Sequence, residues 1–141
     1  MWAVSLNAFS SDRIQEIDLS EFLEKDNTSN EVTIDYMPES NVRVQAGYNV
    51  VHWEGERGTK FYPLFQIINQ TGSDHKISIG MQLLDKNKKV LIKASHTKVF
   101  PPSKGSEPSY ENSLSINAES ITKEILEKTK YIKVLYGSKN V

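Results

Sequence analysis

Between Lys76 and Leu84 the chain reads KISIGMQLL, with Ile77, Ile79, Met81 and Leu83 on one parity and Ser78, Gly80 and Gln82 on the other. Successive side chains of an extended strand point to opposite faces, so this pattern builds a strand with one apolar and one polar side. Such a strand belongs in an antiparallel sheet that packs one face and exposes the other. Val42, Val44 and Ala46 repeat the alternation, as do Leu114 and Ile116. Asn, Asp, Gly and Ser cluster between these runs, in TGSD (71–74), DKNK (85–88) and EGERG (54–58), where they supply turn geometry. The spacing predicts strands near 3–9, 31–36, 41–53, 60–69, 76–84, 89–99, 112–117 and 131–136. The three strands within 60–99, separated by tight turns, read as a meander.

Two stretches depart from plain alternation. In 89–99, Val90, Ile92 and Ala94 share a parity that would carry His96 and Lys98 inwards, so a β-bulge is expected near Ala94–His96. FPPSKGSEPSYENS (100–113) is too rich in Pro, Ser and Gly for a strand and reads as a crossover between sheets. Helix is expected over 117–130, with Asn117 as N-cap, Glu119 near the positive end and lysines near the other. A shorter helical piece is expected over 18–26, where Asp18 and Glu21 have capping-box spacing. Many short strands, a late helix and a long crossover predict an all-β antiparallel sandwich of seven to nine strands, with one short helix before the last strand.

A length of 141 residues suits one domain with a sizeable core. We expect the sandwich core in 31–141, with 1–30 as an acidic segment packing on it or flanking it. The absence of cysteine excludes disulfides and thiolate chemistry. No apolar run nears the roughly 20 residues of a membrane-spanning helix, and MWAVSLNAFSSDR lacks the basic and apolar regions of a signal peptide. Charge is uneven: residues 1–59 hold 11 acids and 4 bases, a balance of −7, while 60–104 hold 2 acids and 8 lysines, a balance of +6. That asymmetry favours either contact between the two segments or attraction of a charged partner, a second copy included.

The stretch FQIINQTGSDHKISIGMQLLDKNKKVL resembles bacterial Ig-like envelope β-sandwich domains of the FxLYD and late-embryogenesis-abundant type. Phe65–Ile68 fills the slot of the apolar strand, Asn69–Asp74 the turn, Ile77–Asp85 the alternating strand and Val90–Leu91 the Val-Leu strand. The glycine usual after that Asp is replaced by Lys86-Asn87-Lys88. The resemblance, over about residues 61–100, implies an Ig-like, non-catalytic module of the envelope or secreted space. It carries no binding residues with it.

Several residue sets remain as candidates for chemistry. Asp74-His75 is an acid beside an imidazole, but neighbours in an extended chain point apart, so Asp74 is expected to serve an Asx turn. His52, His75 and His96 show no metal-ligand spacing, and no cofactor or metal is expected. Glu54 and Glu56 pair two carboxylates within a glycine-containing turn, the minimal set for a small hydrolase. Nucleophile-elbow and phosphate-loop patterns are missing. Lys86, Lys88, Lys89, Lys93 and Lys98 line one hairpin without the arginines or exposed aromatics of a nucleic-acid binder. They read as protection of an edge strand. Trp53, Tyr62 and Tyr110, with Glu54 and Arg57 nearby, form the alternative: an aromatic platform for carbohydrate or for a protein interface. The leading expectation is a non-enzymatic protein-interaction module, extracytoplasmic, with a protein partner or a second copy and no nucleic acid.

Overall fold

The computed structural model describes residues 9–22, 32–53, 58–105 and 112–140, with the side chains of Glu21, His52, Trp53, Lys139 and Asn140 outside that description. In chain order the strands are β1 (Ser11–Glu16), β2 (Val32–Glu39), β3 (Val42–Trp53), β4 (Gly58–Asn69), β5 (His75–Leu84), β6 (Val90–Phe100), β7 (Ser113–Ser115), β8 (Glu119–Ile121) and β9 (Tyr131–Asn140). Among the described residues a helix, α1 (Lys123–Lys128), precedes β9, and a 3-10 turn spans Ser20–Phe22. Sheet A has the order β1-β9-β5-β6; sheet B has the order β2-β3-β4-β7, with β8 also on β4. All pairings are antiparallel. The protein is a β-sandwich with one short helix before its last strand.

The alternating residues meet between the sheets. Ile77, Ile79, Met81 and Leu83 of β5 and Ile132, Val134 and Tyr136 of β9 are no more than 1% exposed. Val42, Val44, Ala46 and Val50 of β3 and Phe61, Phe65 and Ile67 of β4 face them, none more than 2% exposed. Each large side chain so buried contributes about 1.5–3 kcal/mol. Leu19 and Phe22, around the 3-10 turn, also enter this core, and the Phe22 ring meets Tyr48 edge-on at 6.3 Å.

Three expectations are corrected. The TGSD turn does not join neighbouring strands: β4 lies in sheet B and β5 in sheet A, so residues 70–74 cross the sandwich, and the meander is β2-β3-β4. The predicted helix over 117–130 is shorter. Residues 119–121 pair as β8 with Thr59–Phe61, and the helix starts at Lys123, with the Thr122 hydroxyl accepting from the Ile125 amide at 3.2 Å. Finally, β6 pairs with β5 without interruption from His75/Phe100 to Leu83/Ile92, and the only register shift falls at Leu83/Leu84. No bulge repairs Ala94–His96. His96 and Lys98 therefore stand opposite Ile79 and Ile77, on the inward parity. The strand expected at 3–9 falls largely outside the described residues, whereas β1 was not foreseen.

Pro63 shows how local sequence sets the edge of sheet B. A proline lacks the amide a central strand needs, yet β4 lies between β3 and the β7/β8 pair. Its β8 pairing covers Thr59–Phe61 and its β7 pairing Leu64–Gln66, so Pro63 falls in the gap between them. The Pro63 carbonyl accepts from the Ile116 amide at 3.1 Å on that side. A residue's N–H and C=O point the same way in a strand, so the missing donor faces the gap and costs little.

Candidate functional site

Of the aromatic platform, Tyr62 is half-buried on β4, in register with Asn49, and Trp53 ends β3 in register with Gly58. Glu54, Glu56, Arg57 and Tyr110 lie outside the described residues. Tyr48, five residues before Trp53, is core: it is 8% exposed and stacks on Phe61 with ring centroids 5.6 Å apart.

The lysines share a hairpin but not a face. Lys86, Lys88 and Lys89 stand exposed around the β5–β6 turn, where Asp85 Oδ1 accepts from the Asn87 and Lys89 amides at 2.8 and 2.9 Å. Lys88 takes positive φ (63°) there, and its Nζ lies 5.6 Å from the centroid of the Tyr131 ring. Lys86 lines an open cleft of about 410 Å³ with Asp85 and residues 127–130. The cleft's other lysines are engaged: Lys128 with Glu124 at 2.6 Å and Lys130 with Glu16 at 2.7 Å. Lys93 is exposed on the outer face of sheet A, whereas Lys98 is on the inward parity with its Nζ 5.2 Å from the Phe100 ring. Its stem covers apolar surface while its charge stays at the rim.

β6 is the outermost strand of sheet A, and among the described residues no further strand pairs beside it. It runs 11 residues. None of Lys86, Lys88, Lys89 and Lys93 makes an ion pair with a described residue. The acids of β1 differ, since Asp12 is 3.6 Å from Lys133 and Glu16 is bound to Lys130.

A second constellation was invisible in the sequence. His75 is 6% exposed, and its true neighbour is Glu39, not Asp74: Nε2 lies 3.2 Å from Glu39 Oε1. The other carboxylate oxygen accepts from the Tyr136 hydroxyl at 2.9 Å and the Ser138 hydroxyl at 2.5 Å. A register shift between Tyr36 and Glu39, where Met37-Pro38 intervene, turns the end of β2 and aims this carboxylate across to β5 and β9. Burial works against the charge on Glu39, but the Ser138, Tyr136 and His75 bonds together outweigh it and hold its carboxyl below the usual range. Burial pushes the Tyr136 hydroxyl well above the ordinary tyrosine value.

The arrangement ties the sheets together and lacks the geometry of a nucleophile. The Ser138 hydroxyl is bonded to a carboxylate and not to an imidazole, so no serine–histidine pair is formed. His96 pairs with Ile79, four residues from His75 along β5, which separates the two imidazole positions by about 13 Å at the rise of a strand. Among the described residues no three histidine, cysteine or acidic side chains gather as for a metal ion.

The turn after β4 also reassigns a role. Asn69 is fully buried; its Nδ2 donates to the Ser73 and Phe100 carbonyls at 2.9 and 3.1 Å, and its Oδ1 accepts from the Thr71 amide and hydroxyl. Asn69, not Asp74, makes the Asx turn. No protein-family model and no curated protein matches this chain.

Proposed function

We propose that the protein is a non-enzymatic interaction module that docks protein partners along β6, the longer of the two outermost strands of sheet A. One observation carries this reading: β6 is an 11-residue edge strand with unbroken register to β5 over its last nine residues and no strand on its other side among those described. An edge of that length offers the unpaired amides and carbonyls that strand addition uses. The carboxylate-bound Ser138 and the sheet-bridging His75 favour a structural use of the Glu39 cluster, in keeping with a module that does no chemistry. An Ig-like identity and a place in the bacterial envelope or secreted space rest on the hairpin resemblance.

Selection from a displayed peptide library tests the edge. Of the adjacent residues Ser95 and His96, one directs its amide at β5 and the other away, because strand amides alternate. Whichever of Ser95→Pro and His96→Pro leaves the melting temperature nearly unchanged is therefore the edge-blocked variant. Peptides that bind the protein, protect β6 amides from exchange and lose binding to that variant support the reading. Peptides that map elsewhere and bind both proteins equally sink it.

A further inference from the structure

We infer that the β6 edge selects an extended partner segment that is acidic at one end and apolar at the other; this rests on the reading of β6 as the docking edge. The first observation is charge without an ion-pair partner among the described residues. Residues 60–104 carry the excess of lysine, yet the described acid–base pairs connect Asp12 and Glu16 to Lys133 and Lys130, Asp35 to Arg43, Glu124 to Lys128, and Glu39 to the His75 imidazole. None joins an acid of the N-terminal half to Lys86, Lys88, Lys89 or Lys93. Among the described residues the acids find their cations elsewhere, and the charge of this hairpin has no ion-pair partner.

The second observation is the order of side chains on the outer face of β6. Lys93, Ser95, Thr97 and Val99 share that parity, since their neighbours Ala94, His96 and Lys98 pair with inward Met81, Ile79 and Ile77. All four are exposed, Val99 to 42%. Over about 20 Å of strand the face thus passes from basic through hydroxyl to apolar. The turn lysines Lys86, Lys88 and Lys89 lie beyond the basic end. A strand added alongside sets its side chains directly opposite these, where opposite charges attract and like charges repel. Carboxylates opposite Lys93 and a β-branched residue opposite Val99 complete the match.

The same pattern disfavours other occupants. A second copy pairing β6 antiparallel to itself supplies no carboxylate opposite Lys93, because Val90–Phe100 contains no acid. The acids of β1, which would be a second copy's natural complement, are already paired within their own sheet. Single-stranded nucleic acid needs aromatic or arginine platforms for its bases, and 85–100 contains no arginine and only Phe100, which is fully buried.

Three fluorescent probes decide the matter by anisotropy at low and high salt, with β6 amide exchange locating the contact. They are a capped nine-residue peptide of alternating Val and Thr ending in two Glu, the same peptide ending in two Lys, and a twelve-residue oligothymidine. The Glu peptide is expected to bind at least tenfold more tightly than the Lys peptide, with protection of β6 amides and weakening in salt. Lys93→Glu, an outward change that leaves the fold intact, is expected to abolish that preference; Lys89→Glu provides a second, independent reduction. Equal affinity of the two peptides at β6 overturns the charge selection and leaves edge docking standing. Oligothymidine binding as tightly as the Glu peptide overturns it in favour of a general polyanion surface. If neither peptide binds and β6 amides stay unprotected, both the selection and the docking reading fall.

Discussion

At the β1/β2 flank a carboxylate crosses the sandwich and meets three donors, whereas at the β6/β8 flank His96 and Lys98 point inwards and end at the rim. Both outer strands of sheet A carry polar residues on their core-facing parity: Ser11, Arg13 and Gln15 on β1, and His96 and Lys98 on β6. The β1/β2 flank also ties the two sheets together. Arg13 lies over the Tyr36 ring at 4.9 Å, and Glu39 holds His75, Tyr136 and Ser138. On β6 the inward Lys98 is a charge on the core-facing parity, a known means of discouraging indiscriminate strand addition. One flank is specified by the bonds Glu39 receives across the sheets, the other by polar residues carried to the rim.

The sharpest way to break this contrast is to empty the locked flank. Glu39→Ala leaves three donors without their acceptor and is expected to cost about 2–4 kcal/mol in urea unfolding, since stranded buried donors are expensive. A loss below ~1 kcal/mol would mean that the cluster is not a tie. Asn69→Ala, which removes four bonds at a fully buried position, should cost about 2–3 kcal/mol in the same assay. Tyr136→Phe keeps the ring and removes one bond, so about 1 kcal/mol is expected. On the open flank, the double change His96→Val with Lys98→Val should alter stability by no more than about 1 kcal/mol. Its signature is different: light scattering should reveal concentration-dependent association that the parent lacks.

Acid titration sharpens the same comparison. The Glu39 carboxyl is held below the ordinary glutamate value of about 4.3, so its contribution is present above that pH. It is lost as pH falls through the lower folded value, because the unfolded chain takes up its proton first. Urea midpoints for Glu39→Gln should therefore fall less than those of the parent between neutral pH and about pH 3. Parallel curves would contradict the assignment. Tyr136, raised by burial, acts at the other end: stability should decline above about pH 10, where only the unfolded chain ionises.

The legible parts of the chain were those whose information is local. Ile77, Ile79, Met81 and Leu83 announce β5 by parity alone, and the DKNK turn announces the hairpin that Asp85 closes. Residues 119–121 have helix-compatible composition but become β8 because Thr59–Phe61 offer them a ladder, a tertiary gain that outweighs weak helix propensity. The TGSD turn looks like a hairpin connection and is a crossover, since nothing in a turn says in which sheet the next strand lands. Glu39 gave no signal because its partners are 36, 97 and 99 residues away. The lysines of the edge were readable as residues, but their division between faces required the register.

Pro63 bears on how unequal the rims of the molecule are. Among the described residues, it splits the outer neighbour of β4 into two three-residue strands, which leaves sheet B no long rim on that side. The other outermost strands, β1 and β2, run six and eight residues, against 11 for β6. On the docking reading proposed above, β6 thus offers an added strand the longest ladder.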